Sequence, residues 1–326
     1  MFAVPLIFAW RMGVPGLCVV AGALISVAVP FGANATTAAE RRLLAIEAPH
    51  EAVVSGTKMR AHWVRQIIFP GDAKSREGAL ELKRQYEECA RTASPRATVK
   101  PVQEWPERSA FSIKDFYLAE GVFVEYGYSV SYMVGPTADF GCQLAEVTQF
   151  EARGRLLSEK GLCSFDLSSK KADGECRAQL AKASSTPAAR ARRIVPARNP
   201  AMPGAVLGLF SVTEEVKRVN RVPCRVVKAR FGESSISHCF AQMGTFKGFH
   251  AGAPRPDDTI ALSLEDVHED ASGVYFEGRA LKAVPDMLIS AAVFFPFLNG
   301  GFDISESSSF SGGFYSDDEG PDEVAE

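Results

Sequence analysis

FYLAEGVFVEY (residues 116–126), YSVSYMVG (128–135), CQLAEVTQFEAR (142–153) and LCSFDL (162–167) follow one another with short interruptions, and their reading decides the fold. Each run is rich in Val, Tyr and Phe, which suit a pleated surface, and the breaks fall at Gly127, Gly135-Pro136, Gly141, Gly154 and Gly161. Short β-type runs punctuated in this way predict an antiparallel meander. The expected class is therefore α+β, mostly antiparallel β.

Toward the N-terminus, Asp72 follows Pro70-Gly71 and suits the N-cap of a helix over 73–93. Ala79, Leu82, Tyr86, Cys89 and Ala93 recur there at helical spacing, and Pro95 stops the helix. Residues Met59 to Phe69 alternate, with Ala61, Trp63, Ile67 and Phe69 on one side and His62, Gln66 and Ile68 on the other, as a strand does. Thr37-Ala38-Ala39-Glu40 has the capping-box pattern and predicts a short helix to about residue 47.

Toward the C-terminus, SSTPAARARRIVPARNPAMPG (184–204) carries four prolines and four arginines with little periodicity, the composition of a linker. It predicts an α+β domain over 36–183, a linker over 184–205 and a β-rich domain over 206–302. The latter holds Val206 to Val219, a hairpin, DTIALSLEDV (258–267) and GVYFEGRAL (273–281). Arg190, Arg192, Arg193 and Arg198 read as a solvated basic loop. Without interleaved aromatics, and outside the cytoplasm, nucleic acid is not an expected partner.

The first thirty-five residues read as an export signal. Arg11 is the only charge before Glu40, Met12 to Phe31 is almost wholly apolar, Pro30 and Gly32 break the run, and Ala33-Asn34-Ala35 places small residues for cleavage after Ala35. Cleavage leaves 291 of the 326 residues, enough for a real hydrophobic core. The alternative is an anchor formed by uncleaved Met12 to Phe31, since roughly 20 apolar residues span a bilayer. Cys18 lacks the small residue before it that a lipoprotein route needs. The sequon Asn34-Ala35-Thr36 straddles the cut.

Export places Cys89, Cys142, Cys163, Cys176, Cys224 and Cys239 in an oxidising compartment, where they pair. VPCRVVKAR (222–230) and SSISHCFA (234–241) flank Phe231-Gly232, a two-residue turn candidate that sets Cys224 directly opposite Cys239. Cys163 and Cys176 bracket a short segment containing the turn signal Asp173-Gly174. Cys89 and Cys142 pair by elimination, pinning the 73–93 helix to the sheet.

MLISAAVFFPFL (287–298) is too short to span a bilayer and contains Pro296. It reads as a buried packing segment. If exposed, it would offer Leu288, Val293, Phe294, Phe295 and Phe297 to a partner or a membrane surface. From Asp303 onward eight carboxylates occur without a Lys or Arg, an acidic Ser/Gly tail expected to be disordered, which leaves the rest of the chain net basic although the whole carries −3.

Chemistry is sparse. There is no Gly-rich phosphate loop, no His-Glu-x-x-His, no Cys-x-x-Cys and no Gly-x-Ser-x-Gly. Ser55 to Lys58 and Ser168 to Lys171 fit Ser-x-x-Lys without its companion motifs, so neither implies catalysis. The histidines are His50, His62, His238, His250 and His268. His238 beside Cys239 and His268-Glu269-Asp270 invite a metal, but strand neighbours point to opposite faces and the second run reads as a polar turn. No metal and no cofactor are expected.

The function expected is that of an exported, disulfide-containing, non-enzymatic binding or accessory protein, periplasmic or secreted, whose partner is a protein or another envelope component. One alternative is an exported hydrolase using His238 or His268 with Asp258 or Glu269 and a serine. Another is a membrane-anchored accessory subunit of an envelope complex.

Overall fold

The computed structural model describes residues 37–138, 141–158, 160–178, 210–245, 256, 258–298 and 301–305. The export segment, the 184–205 segment with its arginines, His250 and the acidic tail beyond Ser305 lie outside the described residues. Among the described residues, no helix is long and apolar enough to cross a membrane.

The chain is mostly β, with few helices and one large mixed sheet. In chain order the elements are α1 (Ala38–Leu44), α2 (Pro49–Ala52), β1 (Lys58–Phe69), α3 (Asp72–Thr92), β2 (Ala110–Ala119), β3 (Val122–Pro136), β4 (Cys142–Ser158), β5 (Gly161–Asp166) and β6 (Lys171–Gly174). Then come β7 (Phe210–Val219), β8 (Val222–Phe231), β9 (Ser234–Ala241), β10 (Ser263–Asp270), β11 (Gly273–Ser290), two 3-10 turns at Ala291–Val293 and Pro296–Leu298, and β12 (Asp303–Ser305). The spatial order is β12-β6-β5-β4-β3-β2-β1-β11-β10-β9-β8-β7. Strands from both sides of the 184–205 segment thus join one sheet, and β1 is the seam.

Between β2 and β11, β1 is covered on both faces. Its alternation puts Trp63 and Ile67 on one side and His62, Val64 and Gln66 on the other, all buried. On the first side Trp63 lies opposite Tyr117 and Arg65 opposite Asp115. The fully buried Asp115 accepts from Trp63 Nε1 at 2.9 Å and from Arg65 Nε and Nη2 at 2.9 and 2.8 Å. Arg65 Nη1 also donates to the Ile46 carbonyl at 2.6 Å, fixing the chain between α1 and α2 over the sheet.

Around this pair Tyr117, Tyr126, Leu156 and Phe165 form an aromatic-rich core, and α1 and the two 3-10 turns pack on it. The 287–298 segment explains itself here. Its first residues extend β11 against β1, and then Tyr126 Oη donates to the Val293 carbonyl while Phe294 packs on Tyr117 and Phe297 on Phe165. Val293, Phe294, Phe295 and Phe297 are core residues and are not offered to a partner; only Leu288, 65% exposed, points outward. Crossing beneath the sheet, the chain reaches β12, which pairs in parallel with β6.

The other face of β1 and β2 is covered at one end by β8 to β11. Val226, Leu262, Leu264 and the Cys224–Cys239 bridge close over Val64 and Leu118, flanked by Phe116 and Phe123. The hairpin register differs from the sequence expectation. Val226 faces Cys239 and Cys224 faces Ala241, because the turn is Gly232-Glu233 with Gly232 at φ 60°, the first central position where a type II′ turn wants glycine. The cysteines are therefore diagonal rather than opposed, with Cα atoms 5.2 Å apart. Cys163 is joined to Cys176 and Cys89 to Cys142, the latter tying α3 to the start of β4.

Two smaller corrections concern where turns begin. Asp72 is the first residue of α3 and Gly71 is the N-cap: a Cβ at Gly71 would lie 2.1 Å from the Val274 carbonyl oxygen, so only glycine fits. Asp173-Gly174 belongs to β6, and the turn lies at Ser168–Lys170, where the Asp166 carboxylate accepts from the amides of Ser168 and Ser169.

Removing Asp115 leaves a buried guanidinium unpaired, so Asp115→Ala should cost about 3–5 kcal/mol in urea unfolding. Phe294→Ala should cost about 3–5 kcal/mol, whereas Leu288→Ser should stay within about 0.5 kcal/mol. Equal effects of the last two would contradict the burial described for this segment.

Candidate functional site

Strand alternation gives β2 to β6 a second face, opposite the aromatic core. Where β8 to β11 do not cover it, this face forms an open cleft of about 780 Å³. Register aligns its side chains in rows that run across the strands. Lys114, Gly127, Arg153, Asp166, Lys171 and Asp303 are successive partners from β2 to β12. Next to them run Phe116, Glu125, Arg155, Ser164, Asp173 and Ser305. Six strands at about 4.8 Å make each row about 24 Å long.

The lining carries four cations, Lys114, Arg153, Arg155 and Lys171, and four carboxylates, Glu125, Asp166, Asp173 and Asp303. Several are paired along the rows. Arg155 donates from Nε to Glu125 at 2.7 Å, Lys114 Nζ lies 3.9 Å from Glu125, Arg153 Nε donates to Asp166 at 2.9 Å, and the Ser305 hydroxyl donates to Asp173 at 2.7 Å. The Ser168 hydroxyl, the Ser169 amide and Arg153 hold the Asp166 carboxyl well below the usual carboxylate range.

A shorter, uncharged row of Ser112, Ser129 and Gln149 lies alongside. Here the β3–β4 register jumps from Gly127↔Arg153 to Ser129↔Gln149, so that Phe150 to Ala152 face Tyr128 alone. The Gln149 Nε2 group ends this row buried and, among the described residues, without a hydrogen-bond partner. A buried amide left unmatched costs free energy that an acceptor in the cleft would recover. Tyr128 and Phe165 are the aromatic residues of the lining, and both are almost wholly buried.

The histidines are dispersed. His62 is buried and accepts the Asp286 amide at Nδ1 (3.1 Å), and His50 Nδ1 meets the Tyr117 hydroxyl at 2.8 Å. His238 Nδ1 meets Asp266 at 2.6 Å, with the His268 ring 6.1 Å from that of His238. The carboxylate partner is thus Asp266, not Asp258 or Glu269: Asp258 accepts from Arg225 and Gln242, and Glu269 is exposed near the end of β10. Among the described residues no group of three His, Cys, Asp or Glu side chains is arranged to hold a metal ion. The Ser-x-x-Lys matches are also spent locally. The Ser55 carbonyl accepts from Ser290, Lys58 donates to the Val54 carbonyl, and Ser168 to Lys171 makes the β5–β6 turn.

Apart from Lys171, which falls in the second Ser-x-x-Lys match, none of the cleft residues is singled out by a motif. Their signal is alternation, as in Arg153/Arg155, Ser164/Asp166 and Lys171/Asp173, and it acquires meaning only once register brings the pairs side by side.

No protein family and no curated protein matches this chain. Among solved structures it is similar to PNGF-II in two crystal forms. Identities are 8% and 9% and TM-scores 0.30 and 0.32, over 76% of this chain but only 31% and 32% of the other. The chain therefore spans about a third of those proteins' length, and likeness at this level carries no activity across.

Burial by itself would raise the pKa of Asp266, but hydrogen bonds from His238, Ser263 and Gln66 hold it below the ordinary range. A depressed folded pKa means stability that is present above the unfolded value of about 3.9 and lost as pH falls through the folded one. Asp266→Asn should therefore lower the urea midpoint most at neutral pH, and the deficit should shrink below about pH 4. A deficit constant from pH 7 to pH 3 would contradict the lowered Asp266 carboxyl.

Proposed function

We propose that this is an exported, non-enzymatic binding or accessory protein of the cell envelope that holds an extended polar ligand along the cleft rows. The observation that carries this reading is the pair of cross-strand rows, one open to solvent over six strands and the other over five, with an unmatched buried amide at the end of the shorter row beside them. Fixed side chains on strands are pre-organised for recognition, because their rotamers are set by packing before the ligand arrives.

Three disulfides suit an oxidising compartment. Export with cleavage after Ala35 is part of the same proposal, since it delivers the cysteines to such a compartment. The hydrolase alternative has the His238–Asp266 contact in its favour, but among the described residues that ring's hydrogen bond goes to the carboxylate and no serine hydroxyl completes a triad.

The test is binding of the mature chain to an array of envelope-type glycans and peptides, beside an Arg155→Glu/Lys171→Glu variant. Array signal lost in the double variant, with the ligand recovered intact, is the expected result. Signal indifferent to the double variant would remove the cleft as the site. Cleaved ligand would favour the hydrolase.

A further inference from the structure

Gly127 interrupts the first row. Lys114 and Arg153 stand on either side of it, about two strand spacings (about 9.6 Å) apart along the hydrogen-bonding direction. Nothing steric demands a glycine there. Its φ is not in the left-handed region, and a Cβ would meet only the Arg153 carbonyl oxygen at 3.6 Å, an ordinary contact. What a side chain would do at Gly127 is fill the cleft.

Donors gather around this notch: Lys114 Nζ, the Arg153 guanidinium, the buried Gln149 Nε2 and the hydroxyls of Ser112 and Ser129. The nearby carboxylates already have cationic partners. Glu125 is held by Arg155 and Lys114, and Asp166 by Arg153 Nε together with Ser168 and Ser169. Locally three cations face two carboxylates, so the notch favours an anion although the whole cleft is balanced.

Resting on the reading of this face as the ligand site, we infer that the notch over Gly127 seats the carboxylate of an acidic polysaccharide whose hydroxyls run along the neighbouring rows. Guanidinium, ammonium and amide donors match carboxylate oxygens by charge-assisted hydrogen bonds. The hydroxyl, carboxylate and guanidinium groups farther along match sugar hydroxyls, which both donate and accept. The lack of an exposed aromatic face argues for recognition by charge rather than by ring stacking, and so for an acidic glycan over a neutral one. A peptide is disfavoured because no free strand edge lies between β2 and β6 for an extended chain to pair with.

The experiment is titration calorimetry of the mature chain with oligogalacturonate, neutral galacto-oligosaccharide of equal length, poly(glycerol phosphate) and poly-glutamate. Oligogalacturonate should bind at least about ten-fold more tightly than the other three, and the preference should fall as salt rises. Gly127→Gln, which fills the notch, and Arg153→Gln should each weaken oligogalacturonate about ten-fold or more, with Leu288→Ser as the unchanged control. Should Gly127→Gln fail to fold, Arg153→Gln and Gln149→Leu carry the test.

Tightest binding of poly(glycerol phosphate) would overturn the carboxylate in favour of phosphate, and poly-glutamate equal to oligogalacturonate would overturn the saccharide. Equal binding of neutral and acidic sugars, both lost in Arg155→Glu/Lys171→Glu, would overturn the anionic notch while leaving the face as the ligand site. If no ligand depends on either set of variants, both readings fall.

Discussion

The fold depends on β1 being buried from both sides with one ion pair locked beneath it. A strand in that position has no solvent to hydrate a charge, so Arg65 is tolerable only because Asp115 meets it bidentately and Trp63 and the Ile46 carbonyl take up remaining hydrogen-bonding capacity. These contacts fix more than local packing. They set the register of β1 on β2, and through β1 the position of β11 and of every strand beyond it. A slip by one residue would turn Arg65 toward Val64's side, into the apolar cluster under the Cys224–Cys239 bridge.

The same seam explains why the C-terminal part of the chain returns to the first strands. After pairing with β1, β11 cannot end in solvent without exposing MLISAAVFFPFL, and the two 3-10 turns carry its aromatics under β2 to β5. The strap then continues into β12 and extends the polar rows by one strand. Core and cleft are thus two sides of the same residue alternation: Tyr126 is packed under Val293 while its neighbours Glu125 and Gly127 look into the cleft. A rigid underside makes a rigid cleft face.

Much of this was legible. Alternation announced β1, Val-, Tyr- and Phe-rich runs announced the meander, a turn signal announced the hairpin, and helical spacing announced α3; the cysteine pairings could be argued from turns and elimination. But β2 and β3 meet at Glu120-Gly121 inside the first run, and β3 and β4 run straight through Gly127 and Gly154, where breaks were expected, because a glycine flanked by β-type residues can stay in the ladder. Register was harder to read, because the hairpin turn sits one residue later than Phe231-Gly232 suggests, and one residue is enough to move Cys224 from opposite Cys239 to diagonal. The apolar stretch was ambiguous for a similar reason. Hydrophobicity says that Phe294 and Phe297 need cover, not whether the chain or a partner supplies it. The cleft was invisible in sequence because Lys114, Arg153, Asp166 and Asp303 are neighbours only across strands, and the β3–β4 bulge beside the Gln149 amide is marked only by Gly127 at its edge, which in sequence reads equally well as a break between strands.

Whether the charge rows serve stability instead can be judged from magnitudes. Ion pairs with a solvent-exposed partner contribute about 0–1 kcal/mol, and although Asp166 and Glu125 are mostly buried, Arg153 is well exposed and Arg155 partly so, which makes their pairs weak reasons for keeping so many ionic groups together. Protection of sheet edges does not account for them either, since Lys114, Glu125, Arg153 and Arg155 stand on interior strands whose edges are already paired. Uncharged polar residues would keep such a face soluble. Alternating charge in register, with a gap at Gly127 that no backbone constraint requires, is what the proposed ligand would read.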